Sequence, residues 1–347
     1  MSKKYDAILF IGRFHPLHNA HVEMLQRAAD LSNKLIVIMG SANQPRTFKN
    51  PWSDTERQSV LEQSLTQIKT VKNDPDFSFV VDKNPDTIHD NPAWASRVEK
   101  IVAKYTTDDD RIAIIGHKKD ETSFYIDMFP QWDIIDQELI EQLNASDIRD
   151  LYFKNDANLK YLKHVVPDIT YQFLTKFKNQ PEYQLIIQER DYVRKFRQPY
   201  ESLPYGVIFV TTDAVVVQNN HVLMIRRRNF PGQGLYALPG GFVDPDGDNS
   251  VQDAMLRELV EETNIDLPRD YLTTHITKTK VFDAKGRSSR GRTITHAFYI
   301  ELPDTGVFPT IEAGDDAASA EFVEFSQIDT SQVYEDHWEI INYFIGK

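Results

Sequence analysis

Residues 7–21 read AILFIGRFHPLHNAH, an unbroken apolar run closed by Gly12-Arg13 and followed by a histidine-rich stretch. A short apolar run of this kind predicts a strand buried on both faces. Val22, Leu25, Ala28 and Ala29 then recur at helical spacing. The same alternation continues through LIVIM (35–39), FSFVV (77–81), RIAIIG (111–116) and WDIID (132–136), with helical stretches such as AWASRVEKIVAKY between them. Apolar strands separated by helices imply a parallel sheet covered on both faces, so the chain opens with a doubly wound α/β domain. Ligands in such sheets bind beyond the carboxyl ends of the strands.

From Ser146 to about Arg197 the pattern is almost wholly helical, with Pro167 and Pro181 opening helices. After PYESLPYG it changes. VIFVTTDAVVVQNNHVLMIRRR (207–228) holds β-branched runs broken by Asn219-Asn220, a hairpin signal. One strong helix spans 251–263, and strands are expected near 278–282 and 293–302. This second half is α+β. The predicted organisation is a domain over 1–183, a helical linker over 184–204 and a second domain over 205–347.

The length of 347 residues fits about two domains, and 41% hydrophobic with 26% charged residues is a globular composition. A net charge of −13 argues against general nucleic-acid binding, which needs a basic face. With no cysteine, disulfides, thiolate catalysis and Cys-ligated zinc are excluded. The first apolar run is too short for a signal peptide, and no stretch approaches the roughly 18 apolar residues of a membrane span. The expectation is a cytoplasmic protein without nucleic-acid or membrane partners. Self-association into a homo-oligomer is left open.

Gly12 to His21 falls where the first strand turns into the first helix. A helix N-terminus carries unpaired N–H groups and a positive dipole end, which attract phosphate. His18 and His21, three apart, share one face, and Arg13 adds a fixed positive charge. Imidazoles aimed at a phosphate stabilise the charge developing on a leaving pyrophosphate.

The string His18-Asn19-Ala20-His21 resembles the His-x-Gly-His signature of the nucleotidyltransferase superfamily, with Ala20 in the usual Gly position. The longer GRFHPLHNAH is similar to the opening of archaeal-type nicotinamide mononucleotide (NMN) adenylyltransferases. Residues 40–57, GSANQPRTFKNPWSDTER, resemble that family's loop after strand two. IHDNPAW resembles its nicotinamide segment, and NASDIR (144–149) its late Ser-x-Thr-x-x-Arg motif. The resemblance implies catalytic roles for His18, His21 and Arg149. It implies ATP or NMN contacts for Gly12, Arg13, Phe14, His15, Arg46, Lys49, Trp52, Asn91, Trp94, Gly116 and Ser146. NMN phosphate would attack the α-phosphorus of ATP, with positioning and electrostatics supplying the catalysis.

In the second half, LPGGFVDPDGDNSVQDAMLRELVEETNI (238–265) places Glu258, Glu261 and Glu262 at i, i+3 and i+4 on one helix face. Three crowded carboxylates repel one another unless divalent cations sit between them, and all-oxygen ligands suit Mg²⁺ or Mn²⁺. Arg257 can orient a neighbouring carboxylate. The segment resembles the Nudix box. Its loop before Arg257 is two residues longer than the family's, the loop's Glu is replaced by Asp248 or displaced, and Asn264 replaces the late Gly. Asn tolerates the left-handed conformation expected there. The resemblance implies Gly240, Glu258 and Glu262 as metal ligands and a catalytic part for Glu261; AGDDA, with Asp315 and Asp316, resembles a recurrent Nudix segment that supplies either the base or a scaffold. Residues 282–299, FDAKGRSSRGRTITHAFY, resemble a region of ADP-ribose pyrophosphatases, and Arg287, Arg290 and Arg292 would bind ADP-ribose.

Together these resemblances imply a bifunctional enzyme of NAD metabolism with ATP, NMN and ADP-ribose as small-molecule substrates. One half would make NAD and the other would hydrolyse ADP-ribose. Two alternatives for the second half stay open: a non-catalytic module sensing ADP-ribose or NAD, and a hydrolase of another nucleoside diphosphate derivative.

Overall fold

The computed structural model describes residues 3–116, 126–136, 144–154 and 159–346. It divides into two compact units, Met1–Arg46 with Asn50–Ile187, and Thr47–Lys49 with Gln188–Lys347.

The first unit is built on a parallel sheet. Its strands are β1 (Tyr5–Gly12), β2 (Ser32–Met39), β3 (Ser78–Lys83), β4 (Ile112–Gly116) and β5 (Asp133–Asp136), in the spatial order β3-β2-β1-β4-β5. The apolar run that opens the chain is the central strand. Side chains alternate across it, so Ile8 and Phe10 enter one core while Ala7, Leu9 and Ile11 enter the other. Helices α1 (Asn19–Leu31) and α2 (Asp54–Leu65) cover the first face with Leu25, Ala28, Val60 and Leu61. Short α3 (Lys69–Asn73) follows, and α4 (Asn91–Ala103) covers the opposite face with Val98, Ile101 and Val102. Helices α5 (Ala145–Lys154), α6 (Leu159–Leu162) and α7 (Asp168–Phe177) follow the sheet. Strand order reverses between β1 and β4, which makes the crevice beyond their carboxyl ends the place for a ligand.

Helix α8 (Pro181–Glu201) begins at its predicted proline, and the division between units falls inside it. No helix among the described residues is long and apolar enough to cross a membrane.

The second unit is a mixed sheet. Its main path runs β10 (Ile276–Phe282), β11 (Arg292–Glu301), β6 (Ile208–Gln218), β7 (His221–Arg227) and β12 (Ala317–Glu324). Short β8 (Tyr236–Ala237) pairs with β7, and β9 (Gly240–Phe242) with β6. Asn219 and Asn220 both take positive φ, 46° and 59°, closing the β6–β7 hairpin as a tight turn requires. Along β6, Ala214 and Val216 face α9 (Val251–Thr263) while Val215 and Val217 face the core covered by α11 (His337–Ile345). Helix α10 (Arg269–Thr274) precedes β10.

The helix α9 occupies the predicted residues and has defined ends. Ser250 accepts a hydrogen bond from the Asp253 N–H, and Asn264 caps the other end at φ 42° and ψ 38°. The Asn264 side chain also donates to the Glu312 carbonyl at 3.0 Å. Asn264→Ala should therefore destabilise the protein by about 1–2 kcal/mol, the left-handed penalty of an alanine, whereas Asn264→Gly should stay within about 0.5 kcal/mol of wild type. Urea unfolding of the full chain checks this, and an alanine variant as stable as wild type would overturn it.

Candidate active sites

In the first unit, the turn after β1 is folded by contact between neighbours. Phe14 takes φ 52° and lays its ring over Gly12, where an added Cβ would come within 2.7 Å of the ring. That fold sends Arg13 toward the loop after β2. Its Nε donates to Ser41 Oγ at 2.8 Å and its Nη2 to Asn50 Oδ1. Beside it, buried Arg57 donates from Nη1 to the carbonyls of Arg13 (2.7 Å) and Gly40 (2.8 Å). Its Nη2 reaches the Ser41 carbonyl (2.9 Å) and the Asp54 carboxylate (2.7 Å). Arg149 donates to the His15 carbonyl at 2.7 Å and to Ser146 Oγ at 3.0 Å. The late motif therefore folds back onto the GRFH turn.

His18 sits at the N-cap of α1 and His21 one turn in, with their rings stacked at 3.6 Å. His21 Nδ1 accepts the His18 N–H at 3.4 Å. Ala20, between them, is buried in regular helix, where a methyl group is ordinary. Burial pushes the His18 imidazole down to about 4. His21 is pushed well below the usual range by burial and by His18, and His15 by burial and by the surrounding Arg57, Arg13, Arg149 and Arg46. Burial favours the neutral form of these imidazoles, while the arginines carry the charge. Arg149 is pulled down to about 10 by burial and the nearby Arg13, and stays protonated. These cationic and imidazole groups gather at the switch point of the sheet, a cluster whose chemistry suits an anion.

The other residues implied by the first resemblance are more dispersed. Trp52 is 2% exposed inside an aromatic cluster with His15, Phe153 and Phe177. Arg46 donates to the Pro51 carbonyl and to Glu56, under the Phe177 ring. Lys49 groups with the second unit, and its Nζ donates to the Gly286 carbonyl at 3.3 Å. Asn91 is exposed on the first turn of α4, Trp94 packs against Phe129, and Gly116 ends β4. Arg57 ends the 40–57 segment but is not singled out within it, and Asp86, whose carboxylate holds the Ser41 N–H and Oγ at 3.1 and 2.6 Å, lies outside the motifs.

In the second unit, Glu258 and Glu262 face Gly240 and Gly241 of β9. Gly240 donates its N–H to Glu262 Oε2 at 2.9 Å. An added Cβ at Gly241 would lie 2.5 Å from the Glu258 carboxylate, and one at Gly240 2.1 Å from the Thr212 carbonyl. At position 240 only glycine lets the backbone lie this close to β6, and a side chain at 241 would displace the Glu258 carboxylate. Arg257 grips Asp248 with two bonds of 2.9 Å and also donates to Glu258 (2.8 Å), Glu261 (2.9 Å) and the Phe242 carbonyl (3.1 Å). Asp248, in the lengthened loop, is thus the anchor of Arg257, which holds its carboxyl below the usual range.

Burial raises the Glu262 carboxyl to about 8, and burial also raises Glu258. Glu262 is only 5% exposed. A desolvated carboxylate pair of this kind suits a divalent ion, whose charge offsets both the burial and the mutual repulsion. Among the described residues no closed cage of three acidic or histidine side chains stands ready. A cation that keeps water and phosphate oxygens in its shell, as Mg²⁺ does, needs only one or two protein carboxylates. Asp315 and Asp316 lie close enough for their charges to act on Glu258 and Glu262 respectively.

Of the three arginines of the basic stretch, Arg287 forms a buried two-bond ion pair with Asp336. Arg290 lies over the Phe242 ring at 4.6 Å, and Arg292 opens β11.

The cytidylyltransferase-like family profile matches residues 9–211 and the NUDIX domain profile residues 208–344. A nicotinamide/nicotinic acid mononucleotide adenylyltransferase of Acinetobacter baylyi is 30% identical over 187 residues, 54% of this chain and 94% of its own. An ADP-ribose pyrophosphatase of Methanocaldococcus jannaschii is 32% identical over 160 residues, 45% of this chain and 80% of its own. The crystal structure of a bifunctional NMN adenylyltransferase/ADP ribose pyrophosphatase from Francisella tularensis, complexed with AMP and a Mn ion, is 32% identical. It superposes with a TM-score of 0.88 over 99% of both chains. The chain belongs to the family that joins a cytidylyltransferase-like nucleotidyltransferase domain to a Nudix domain.

Proposed function

We propose that the protein is a bifunctional enzyme. The first unit transfers AMP from ATP to NMN, giving NAD and pyrophosphate, and the second hydrolyses ADP-ribose to AMP and ribose 5-phosphate. One observation carries the reading. A neutral-histidine and arginine anion pocket and a Gly-Gly-facing carboxylate helix stand on one chain whose fold matches a bifunctional relative over 99% of both lengths.

In the first reaction an NMN phosphate oxygen attacks the α-phosphorus of ATP as the bond to pyrophosphate breaks. His18 and His21 donate hydrogen bonds to the phosphate oxygens on which charge develops, and Arg13 and Arg149 hold the triphosphate. Phe14 and Gly12 shape the turn, and Asn91 and Trp94 receive the nicotinamide.

In the second reaction Glu258, Glu262 and the Gly240 carbonyl would hold a divalent cation, Mg²⁺ or Mn²⁺. Such a cation neutralises the diphosphate and makes water a better nucleophile. Arg257 fixes Glu258 and Glu261, and this engagement of Glu261 favours Asp315 or Asp316 as the group that takes the proton from water. Arg290 and Arg292 are the cations left for the substrate diphosphate once Arg287 is paired. The intact Asp248–Arg257 anchor supports turnover rather than sensing.

His18→Ala should lower kcat for NAD synthesis by about 10² or more, the usual loss for a transition-state donor, and leave ADP-ribose hydrolysis unchanged. Near-normal NAD synthesis by this variant would remove His18 from the mechanism. Glu262→Gln should do the reverse: hydrolysis and Mn²⁺ affinity fall sharply while NAD synthesis persists. Binding of ADP-ribose by wild type without AMP release, in either Mg²⁺ or Mn²⁺, would make the second unit a sensor.

The pH response of His18 follows from its burial. The folded chain keeps it neutral down to about pH 4, while an unfolded histidine protonates near 6.5. Its stabilising contribution is therefore full above pH 6.5 and lost as the pH falls toward 4. NMR titration should give a midpoint near 4 for His18, and His18→Gln should flatten the fall in stability across that window. A midpoint near 6.5 would overturn the burial argument.

A further inference from the structure

Next to β9, buried polar groups link three distant stretches of chain. Arg287 donates Nε to Asp336 Oδ2 at 2.8 Å and Nη2 to Oδ1 at 2.9 Å, with the two side chains 4% and 1% exposed. Ser289 ties the same loop to the next residue back, its N–H donating to Glu335 Oε1 at 2.7 Å. Asp336 is the N-cap of α11 and His337 its first residue. His337 Nδ1 accepts the N–H of Leu238 at 2.9 Å, although the two lie 99 residues apart. Two further bonds fix the residues that follow. Pro239 accepts the Ala214 N–H at 2.8 Å, and Gly240 donates to Glu262 at 2.9 Å.

An ion pair this deeply buried adds little net stability, because desolvating both charges offsets their attraction. What it does supply is a fixed direction: a two-bond guanidinium–carboxylate fork holds Asp336, and with it the start of α11. Burial also keeps His337 neutral, which leaves its Nδ1 lone pair available to the Leu238 N–H. The charged groups facing His337 are Asp213, Asp336, Arg287 and Arg227.

We propose that Arg287, Asp336 and His337 are positioning residues of the Nudix site, holding the Leu238–Gly241 segment, and through it Glu262, in the geometry hydrolysis uses. The inference rests on the Nudix reading above. The loop after β10 then has two roles, presenting Arg290 while Arg287 is turned inward as a strut. Groups that orient metal-binding elements without touching metal commonly alter metal affinity by about 10–100-fold when removed.

The test uses the full chain. His337→Leu removes the acceptor and keeps an apolar side chain. It should weaken Mn²⁺ binding, read by electron paramagnetic resonance, by about tenfold or more, and lower kcat for ADP-ribose hydrolysis similarly. The KM for ADP-ribose should stay within about twofold, since His337 meets no substrate. Hydrogen exchange of the peptide containing Leu238 should speed up, and His337→Gln, whose side-chain oxygen can accept the same N–H, should restore most of each loss. Arg287→Met combined with Asp336→Leu removes both charges without stranding either and should show the same pattern. NAD synthesis and the circular dichroism spectrum report an intact fold throughout. Wild-type Mn²⁺ affinity and kcat in His337→Leu would overturn the proposal. So would a roughly tenfold rise in KM at unchanged kcat in the double variant, which would make Arg287 a substrate ligand. If wild type releases no AMP, the Nudix reading fails, while Mn²⁺ binding and Leu238 exchange still decide whether these residues position the segment.

Discussion

Arg57 spends its charge on backbone. Its two terminal nitrogens donate to three carbonyls, those of Arg13, Gly40 and Ser41, and to one carboxylate, Asp54. Those carbonyls belong to the loops after β1 and β2, which without the guanidinium would bury unpaired oxygens at a cost of about 1–3 kcal/mol each. The proposed anion site rests on this fan of bonds, which ties the turn carrying Arg13 to the loop after β2. Arg257 has the same part in the second unit. It ties the lengthened loop, through Asp248, to the two carboxylates of α9. In both sites an arginine that organises the loop stands behind the residues that would meet substrate.

The two sites treat burial in opposite ways. In the first, desolvation favours neutral histidines, so they do not add to the repulsion among the arginines. In the second, desolvation raises Glu258 and Glu262, which leaves the free site poised to prefer a proton or a cation over bare charge. The protein's net charge of −13 makes this local construction necessary. A phosphate-rich ligand is repelled at long range by an acidic surface, so affinity must come from desolvated groups at contact distance.

Much of the fold was legible because it rests on local pattern. The apolar runs became strands, the Asn219-Asn220 pair closed its hairpin, and α9 occupies 251–263 with Asn264 left-handed at its end. The carboxylate helix and the His18–His21 pair were legible for the same reason, since their members lie within a turn of one another. Residues whose partners are backbone or lie far off in the chain were not legible. Arg57 bonds to carbonyls, which have no sequence signature, and His337 meets Leu238 across 99 residues. Arg287 illustrates the converse: a cation in a basic stretch looks like a ligand until Asp336 is seen beside it.

Trp52 and Arg46 extend that argument. Both lie in a segment matching a nucleotide-binding family, yet Trp52 is enclosed by aromatic rings and Arg46 is paired with Glu56 and the Pro51 carbonyl. His15 joins the two kinds of environment. Its ring stacks on Trp52 while its carbonyl accepts Arg149. The aromatic cluster therefore holds the GRFH turn from behind, as Arg57 holds it from the side. Motif residues in this segment thus support the fold as well as the site, through three-dimensional neighbours that the motif itself does not display.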